Sequence, residues 1–175
     1  SCNAPTRMLV PANRKAEAFS IATKRAEETV AGDPQADVTN IGPLVSDVQF
    51  TKVQELIEKG ISEGATLLAG GIGRPAGLDK GYYVKPTVFG DVTNNMTIAR
   101  EEIFGPVLSI IAYEGIDEAV SIANDTEYGL AAYVAGENKE ELTAIARRLR
   151  AGQVHINYGS GGADAPFGGY KKSGN

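Results

Sequence analysis

The sequence has almost none of the residues that form disulfides and zinc sites. It contains one cysteine, Cys2, and one histidine, His155, among 175 residues. A single cysteine cannot form an internal disulfide, so nothing indicates an oxidising compartment and we expect a cytoplasmic protein. Because no second histidine or cysteine is present, none of the usual zinc-binding spacings can occur, and we predict no metal site.

Basic clusters and long apolar runs are also missing. Seventeen Lys and Arg against 22 Asp and Glu give a net charge of -5, and the absence of any basic stripe argues against nucleic acid or an anionic membrane as partner. The longest apolar runs are far shorter than the roughly 18 residues of a spanning helix. The chain starts at Ser1 without a signal-peptide pattern, which suggests a processed chain or a piece of a longer one.

The remaining composition is that of a globular domain, since 42% of the residues are hydrophobic and can form a core. Helical segments, with capping patterns predicted at Ser46 and at Asn138, alternate with short apolar runs. This alternation predicts an α/β fold: a three-layer αβα arrangement with a mainly parallel sheet. Helices are predicted at 13–31, 46–63, 116–124 and 138–151, and strands near 8–10, 65–69, 82–88, 107–111, 128–135 and 154–157. The run 65–69 is predicted to be a short buried strand.

The segment 97–111 organises the chain. Two carboxylates, Glu101 and Glu102, are followed by Phe104 and a Gly-Pro corner, and then by the apolar run Val107–Ile111. This composition predicts a strand buried on both faces, with the carboxylates held at its edge rather than on a helix. The segment is either a solvated acidic turn or the polar edge of a site.

Two glycine-rich segments resemble nucleotide-binding motifs and fail their tests. Residues 71–76 fit the G-x-G-x-x-A pattern, but Pro75 and Gly77 cannot open the required helix, so we predict a surface loop. In the tail 159–175, Lys171 occupies the position before Lys172 where a phosphate-binding loop needs glycine. That tail is a site loop, a mobile loop or a truncated end.

Cys2 and His155 carry the remaining candidate chemistry. Cys2 is either a nucleophile or an inert thiol, since thiolates are strong nucleophiles but an isolated cysteine is commonly unreactive. His155 lies inside an apolar strand, so we expect it to pack rather than to act as a base.

Four separated motifs occur together: SCNAPTRMLVP at Ser1–Pro11, GPLVSDVQF at Gly42–Phe50, EEIFGPVL at Glu101–Leu108 and APFGGYKKSGN at Ala165–Asn175. In this order they resemble the NAD(P)-dependent aldehyde dehydrogenase superfamily. The resemblance covers the whole chain and implies the catalytic domain of such an enzyme over residues 1–175.

For the reaction, the resemblance implies that Cys2 is the catalytic thiolate, which forms a thioester after hydride transfer to the nicotinamide. The Cys2 backbone N–H would be one oxyanion-hole donor. Ser1 and Asn3 would flank the nucleophile as side walls of the substrate site, and Phe167 would line the aldehyde tunnel. Residues 157–164 would form a variable loop at the tunnel mouth.

For the cofactor, NAD or NADP, the resemblance implies that Glu102 binds the nicotinamide ribose and that Phe104 lies beside it. Gln49 and Lys52 would contact the ribose on the adenine side. Gln49 has a second interpretation, because Ser46 and Gln49 have the spacing of a capping box at a helix start. Glu101 is expected to be structural.

The resemblance also implies what this chain does not contain. The coenzyme-binding domain, the base that activates the hydrolytic water and one oxyanion donor lie upstream of the nucleophile in the family, and the extreme C-terminus is absent. We therefore expect an inactive fragment of a parent enzyme that oxidises an aldehyde as a homodimer or homotetramer. The alternatives are a CoA-acylating relative and a non-catalytic folded or assembly module.

Overall fold

The computed structural model describes residues 1–159, 164 and 166–174. The chain divides into two compact units: a larger unit, Thr6–Ala112, and a smaller unit formed by Ser1–Pro5 with Tyr113–Asn175. Within the described ranges, no helix combines the length and the apolar character needed to cross a membrane.

The larger unit is built around a four-stranded sheet of β1 (Arg7–Pro11), β2 (Thr66–Ala69), β3 (Thr87–Gly90) and β4 (Val107–Tyr113), in the order β1-β4-β3-β2. Strands β3 and β4 are parallel, with Val88 opposite Leu108, whereas β2 pairs antiparallel with β3. The predicted α/β class is confirmed, and the sheet is mixed. The helices of this unit are α1 (Lys15–Glu28), α2 (Asp47–Ser62) and the short α3 (Thr97–Arg100).

Helices cover both faces of this sheet, as the periodicity predicted. Successive residues of β3 point to opposite faces. Val88 belongs to an apolar cluster with Ala18 of α1. Phe89, which is fully buried, approaches α2, where a Cβ added at Gly60 would lie 3.2 Å from its ring. The larger unit therefore has the predicted three-layer arrangement of helix, sheet and helix.

Strand β2 corrects one prediction. The run 65–69 was expected to be a buried strand, but β2 lies at the sheet edge and exposes Thr66 and Leu67. Composition alone does not distinguish an apolar edge strand from a central one, because both favour the same residue types.

Helix α1 also ends earlier than its apolar spacing predicted. It stops at Glu28, and Val30 is exposed. The backbone N–H of Val30 donates to the Asn40 side-chain oxygen at 2.8 Å, and Ala31 forms an isolated bridge with Ile41. These contacts with 40–41 replace the next helical turn.

The smaller unit contains a separate two-stranded sheet in which β5 (Ala131–Val134) pairs in parallel with β6 (Gln153–Ile156). The cap predicted at Asn138 is confirmed, since its side-chain oxygen accepts the Glu141 N–H at 3.1 Å. The helices of this smaller unit are α4 (Ile116–Asn124) and α5 (Lys139–Ala146), and a 3-10 turn covers Lys171–Ser173.

The tail that follows β6 is docked where the structure describes it. Lys171 Nζ donates to the carbonyl oxygens of Asn124 and Thr126 at 2.7 and 2.8 Å, and the Tyr170 N–H donates to the Gly129 carbonyl at 3.0 Å. Residues 166–174 are therefore held against the loop before β5. The predicted mouth loop 157–164 lies partly outside the described residues.

Candidate functional site

The four residues predicted to contact the cofactor come together in the larger unit. Gln49 and Lys52 lie on the first turns of α2, and Glu102 and Phe104 lie in the segment between α3 and β4. Lys52 Nζ donates to the Glu102 carbonyl oxygen at 2.7 Å. Gln49 Nε2 donates to the carbonyl oxygens of Ile103 and Phe104 at 2.9 and 3.1 Å. Helix α2 thus holds three successive carbonyls of this segment.

The segment between α3 and β4 packs closely against α2 and has an unusual backbone conformation. Phe104 has a φ of +55°, in the left-handed region that side chains other than Gly, Asn and Asp seldom adopt, and its ring is half exposed. At Gly105 an added Cβ would lie 2.8 Å from a methyl group of Val53 on α2. The Pro106 carbonyl then accepts the Thr87 N–H at 2.8 Å, close to the first pair of the β3-β4 ladder.

Glu101 and Glu102 are both exposed and lie outside helix and strand, as predicted. Among the described residues, the Glu102 carboxylate has no hydrogen-bond or ion-pair partner, although its backbone carbonyl is fixed by Lys52. An exposed carboxylate next to an exposed aromatic ring on a fixed backbone is suited to accept hydrogen bonds from a sugar whose face packs on the ring.

The capping interpretation of Gln49 is half confirmed. Its backbone N–H donates to Ser46 Oγ at 3.2 Å, so Ser46 is the helix cap. The Gln49 side chain does not return to the start of the helix but bonds the carbonyls 54 and 55 residues along the chain. Sequence reasoning missed this contact because capping patterns report only local partners.

Cys2, Ser1, Asn3 and Phe167 lie in the smaller unit. Cys2 is a free, exposed thiol. The Ser1 hydroxyl donates to the Asn3 side-chain oxygen across Cys2, and the Ala4 N–H donates to the Ser1 carbonyl at 3.3 Å. Cys2 is thus presented on a short closed turn. Phe167 is exposed.

Sequence reasoning did not connect Tyr133, which contacts this turn, or His155, which contacts Tyr133, to the site. The Tyr133 hydroxyl on β5 donates to the Asn3 carbonyl oxygen at 2.9 Å. The Tyr133 ring stacks on His155 of β6 with a centroid distance of 4.9 Å and an interplanar angle of 14°. The packing role predicted for His155 is confirmed.

The segment 71–76, rejected as a dinucleotide motif, is a loop as predicted. The Gly73 N–H donates to the Gln54 side-chain oxygen at 2.5 Å, and the Ile72 carbonyl accepts from Lys85 Nζ at 2.7 Å. These glycines fit a packed turn, and no helix starts from them.

Comparison with known proteins identifies the family. The sequence profile of the aldehyde dehydrogenase family matches residues 1–175. A relative from Staphylococcus saprophyticus is 51% identical over 173 residues, which are 99% of this chain and 36% of the relative. The chain therefore spans about a third of the length of the curated relatives it matches.

Solved structures agree with this match. Aldehyde dehydrogenase C of Pseudomonas syringae, a cysteine-to-alanine variant with NAD+ and octanal, is 56% identical with a TM-score of 0.97, over 100% of this chain and 36% of that one. An aldehyde dehydrogenase of Mycobacterium tuberculosis with NAD+ is 46% identical with a TM-score of 0.95, over 99% of this chain and 36% of that one. The chain belongs to the aldehyde dehydrogenase family.

Proposed function

We propose that this chain is the catalytic-domain portion of an NAD(P)+-dependent enzyme that oxidises an aldehyde to a carboxylic acid. The observation that carries the proposal is the convergence of Gln49, Lys52, Glu102 and Phe104 on one segment of the larger unit. Solved relatives that bind NAD+ support the cofactor class. Family membership supports the reaction class.

In this proposal the segment that carries Glu102 and Phe104 binds the nicotinamide half of the cofactor. The exposed Glu102 carboxylate accepts hydrogen bonds from the ribose hydroxyls, and the exposed Phe104 ring packs beside that sugar. Gln49 and Lys52 hold the backbone of the segment through their side-chain nitrogens, and the proposal also assigns them to the ribose on the adenine side. The chemistry that NAD(P)+ supplies when bound is acceptance of a hydride.

Cys2 is the proposed nucleophile. Its sulfur bonds to the aldehyde carbon while the carbonyl oxygen becomes an alkoxide, which the Cys2 backbone N–H stabilises. Loss of a hydride from that carbon, which NAD(P)+ would accept when bound, leaves a thioester on Cys2. Water then cleaves the thioester, which releases the acid and restores the thiol. The proposal assigns Ser1, Asn3 and Phe167 to positions beside the substrate.

The proposal assigns the remaining parts to a longer enzyme. The coenzyme-binding domain, the base that activates water and a second oxyanion donor are supplied by residues outside this sequence, which matches only about a third of its relatives. The parent enzyme is expected to be cytoplasmic and to assemble as a homodimer or homotetramer. The 175-residue chain alone is expected to show no aldehyde-dependent reduction of NAD(P)+.

Replacement of the nucleophile tests the proposal. In the full-length enzyme, Cys2→Ser should lower kcat for aldehyde oxidation by at least about 10³-fold, as measured by the absorbance of the reduced nicotinamide. The matched control is Ser62→Ala, an exposed hydroxyl at the end of α2 that should leave kcat unchanged.

Three outcomes would contradict parts of this proposal. Turnover by Cys2→Ser at the wild-type rate would contradict the nucleophile. Formation of an acyl-CoA rather than an acid when CoA is present would place the enzyme among CoA-acylating relatives. A full-length protein that reduces neither NAD+ nor NADP+ with any of a panel of aliphatic and aromatic aldehydes would support a non-catalytic module.

A further inference from the structure

The turn that carries Cys2 is held by one peptide group that is bonded at both ends. The peptide between Asn3 and Ala4 accepts a hydrogen bond from the Tyr133 hydroxyl at its carbonyl oxygen, at 2.9 Å. Its N–H donates to the Ser1 carbonyl at 3.3 Å. Because a peptide group is planar, bonds at its oxygen and its nitrogen together fix the plane and limit rotation of the turn around Cys2.

The Tyr133 side chain that makes the first of these bonds is itself fixed. Tyr133 and His155 are paired across the parallel strands β5 and β6, and their rings stack at 4.9 Å. His155 Nδ1 lies 2.8 Å from the Gly159 carbonyl oxygen, so this nitrogen carries the proton and donates it. His155 Nε2 is buried without a partner in the described part of the chain. The hydrogen bond to Gly159 therefore fixes the imidazole, and the fixed ring supports the tyrosine ring by stacking.

We propose that Tyr133 is a positioning residue for the nucleophile. It acts through the Asn3–Ala4 peptide: its hydroxyl sets the orientation of the turn, and the turn sets the direction of the Cys2 backbone N–H and sulfur. His155 serves this role indirectly by holding the tyrosine ring. The inference rests on the proposed function of Cys2 as nucleophile, and it assigns to β5 and β6 a part in the geometry of the reaction.

Removal of the hydroxyl tests the inference, because Tyr133→Phe keeps the stacked ring and deletes only the donor. In the full-length enzyme we expect kcat to fall by about 3- to 10-fold, the range that one neutral hydrogen bond contributes. KM and the melting temperature should stay at wild-type values. His155→Phe, which preserves a ring for stacking, should be milder than His155→Ala.

A second readout reports the turn directly. In Tyr133→Phe, hydrogen exchange of the Ala4 amide should accelerate by a similar factor, whereas the amides of β5 and β6 keep their wild-type rates. The matched control is Tyr128→Phe, a half-buried tyrosine of the same unit whose hydroxyl has no hydrogen bond within the described residues. It should change neither kcat nor the exchange of Ala4.

The outcomes separate this inference from the proposed function. Wild-type kcat and wild-type Ala4 exchange in Tyr133→Phe, with Cys2→Ser inactive, would overturn the positioning role alone. A lower melting temperature with faster exchange throughout β5 and β6 would show a merely structural tyrosine and would also overturn it. Full turnover by Cys2→Ser would overturn the proposed function, and the inference with it.

Discussion

Phe104 shows how a single residue depends on a distant side chain. Its left-handed φ of +55° costs roughly 1–2 kcal/mol for a residue with a Cβ. The carbonyls before and after its N–H, those of Ile103 and Phe104, both accept hydrogen bonds from the Gln49 amide. We infer that this pair of bonds offsets the backbone strain. Gln49 is therefore a structural support of the segment, whatever it contacts in the cofactor.

The Gln49 amide can be tested by an isosteric change. Gln49→Glu keeps the size of the side chain, removes both donated bonds and sets a carboxylate against two carbonyls. Local opening of residues 101–106 should become easier by about 1–3 kcal/mol, as measured by hydrogen exchange. Gln35→Glu, in an exposed loop, adds the same charge and should change nothing beyond about 0.5 kcal/mol. Equal exchange in the two variants would contradict the supporting role.

Side-chain contacts could be predicted from the sequence where the two partners are only a few residues apart. The caps at Ser46 and Asn138 followed from spacings of three residues and are present. The contacts of Gln49 with Ile103 and of Tyr133 with Asn3 cross 54 and 130 positions. Neither could be predicted, because such contacts depend on the packing of whole elements, which leaves no local spacing signal.

Among the elements, Asp91 joins three that are separated in sequence. It follows β3, accepts a hydrogen bond from Lys15 at the start of α1 at 2.8 Å and accepts another from Thr66 Oγ1 of β2, also at 2.8 Å. The hydrogen bond from Lys15, and after it that from Thr66, lowers the pKa of the Asp91 carboxyl below its ordinary 3.8. This carboxylate ties the edge strand and α1 to the end of β3.

The lowered pKa of Asp91 fixes the sign of a pH effect. A group whose pKa is lower in the folded state stabilises the fold at pH values above its ordinary pKa, and this stabilisation is lost as the pH falls below 3.8 through the folded value. Asp91→Asn removes the charge, and asparagine tolerates the φ of +51° at this position. The free energy of unfolding at neutral pH should fall by less than about 1 kcal/mol, because the pair is partly exposed. The melting temperature should fall slightly as a result.

Thermal unfolding across pH checks this prediction. The difference in melting temperature between the wild type and Asp91→Asn should become smaller as the pH falls below 3.8. Asp79→Asn, in an exposed loop, is the control and should follow the wild type at every pH. A difference that grows towards acid would contradict the assigned role of the Lys15 and Thr66 contacts.

The periodicity of the sequence predicted the order of helices and strands along the chain. It predicted the pairing of the strands only in part. A strand over 107–111 was predicted from its largely apolar run, and the structure forms β4 from Val107 to Tyr113 and buries most of it. The antiparallel direction of β2 and the separation of β5 and β6 into their own sheet were not predicted. Pairing is decided by which faces meet in three dimensions, and the apolar runs of β2, β5 and β6 are too short to encode that choice.

At the scale of the whole molecule, the predicted site residues divide between the two units. Gln49, Lys52, Glu102 and Phe104 belong to the larger unit, and the turn around Cys2 belongs to the smaller one. The resemblance predicted which residues form each group, but geometry was needed to show how α2 and β5 support them. The proposed enzyme requires both groups, together with parts that lie outside this sequence.

The most direct test of the central claim is to trap the acyl group on Cys2. The full-length enzyme is mixed with an aldehyde and NAD+, quenched with acid within one turnover and digested for peptide mass spectrometry. We predict an added acyl group on Cys2 in step with the first burst of reduced cofactor, and none in Cys2→Ser. A burst equal to the enzyme concentration without an acyl group on Cys2, or with the acyl group on another residue, would contradict the account.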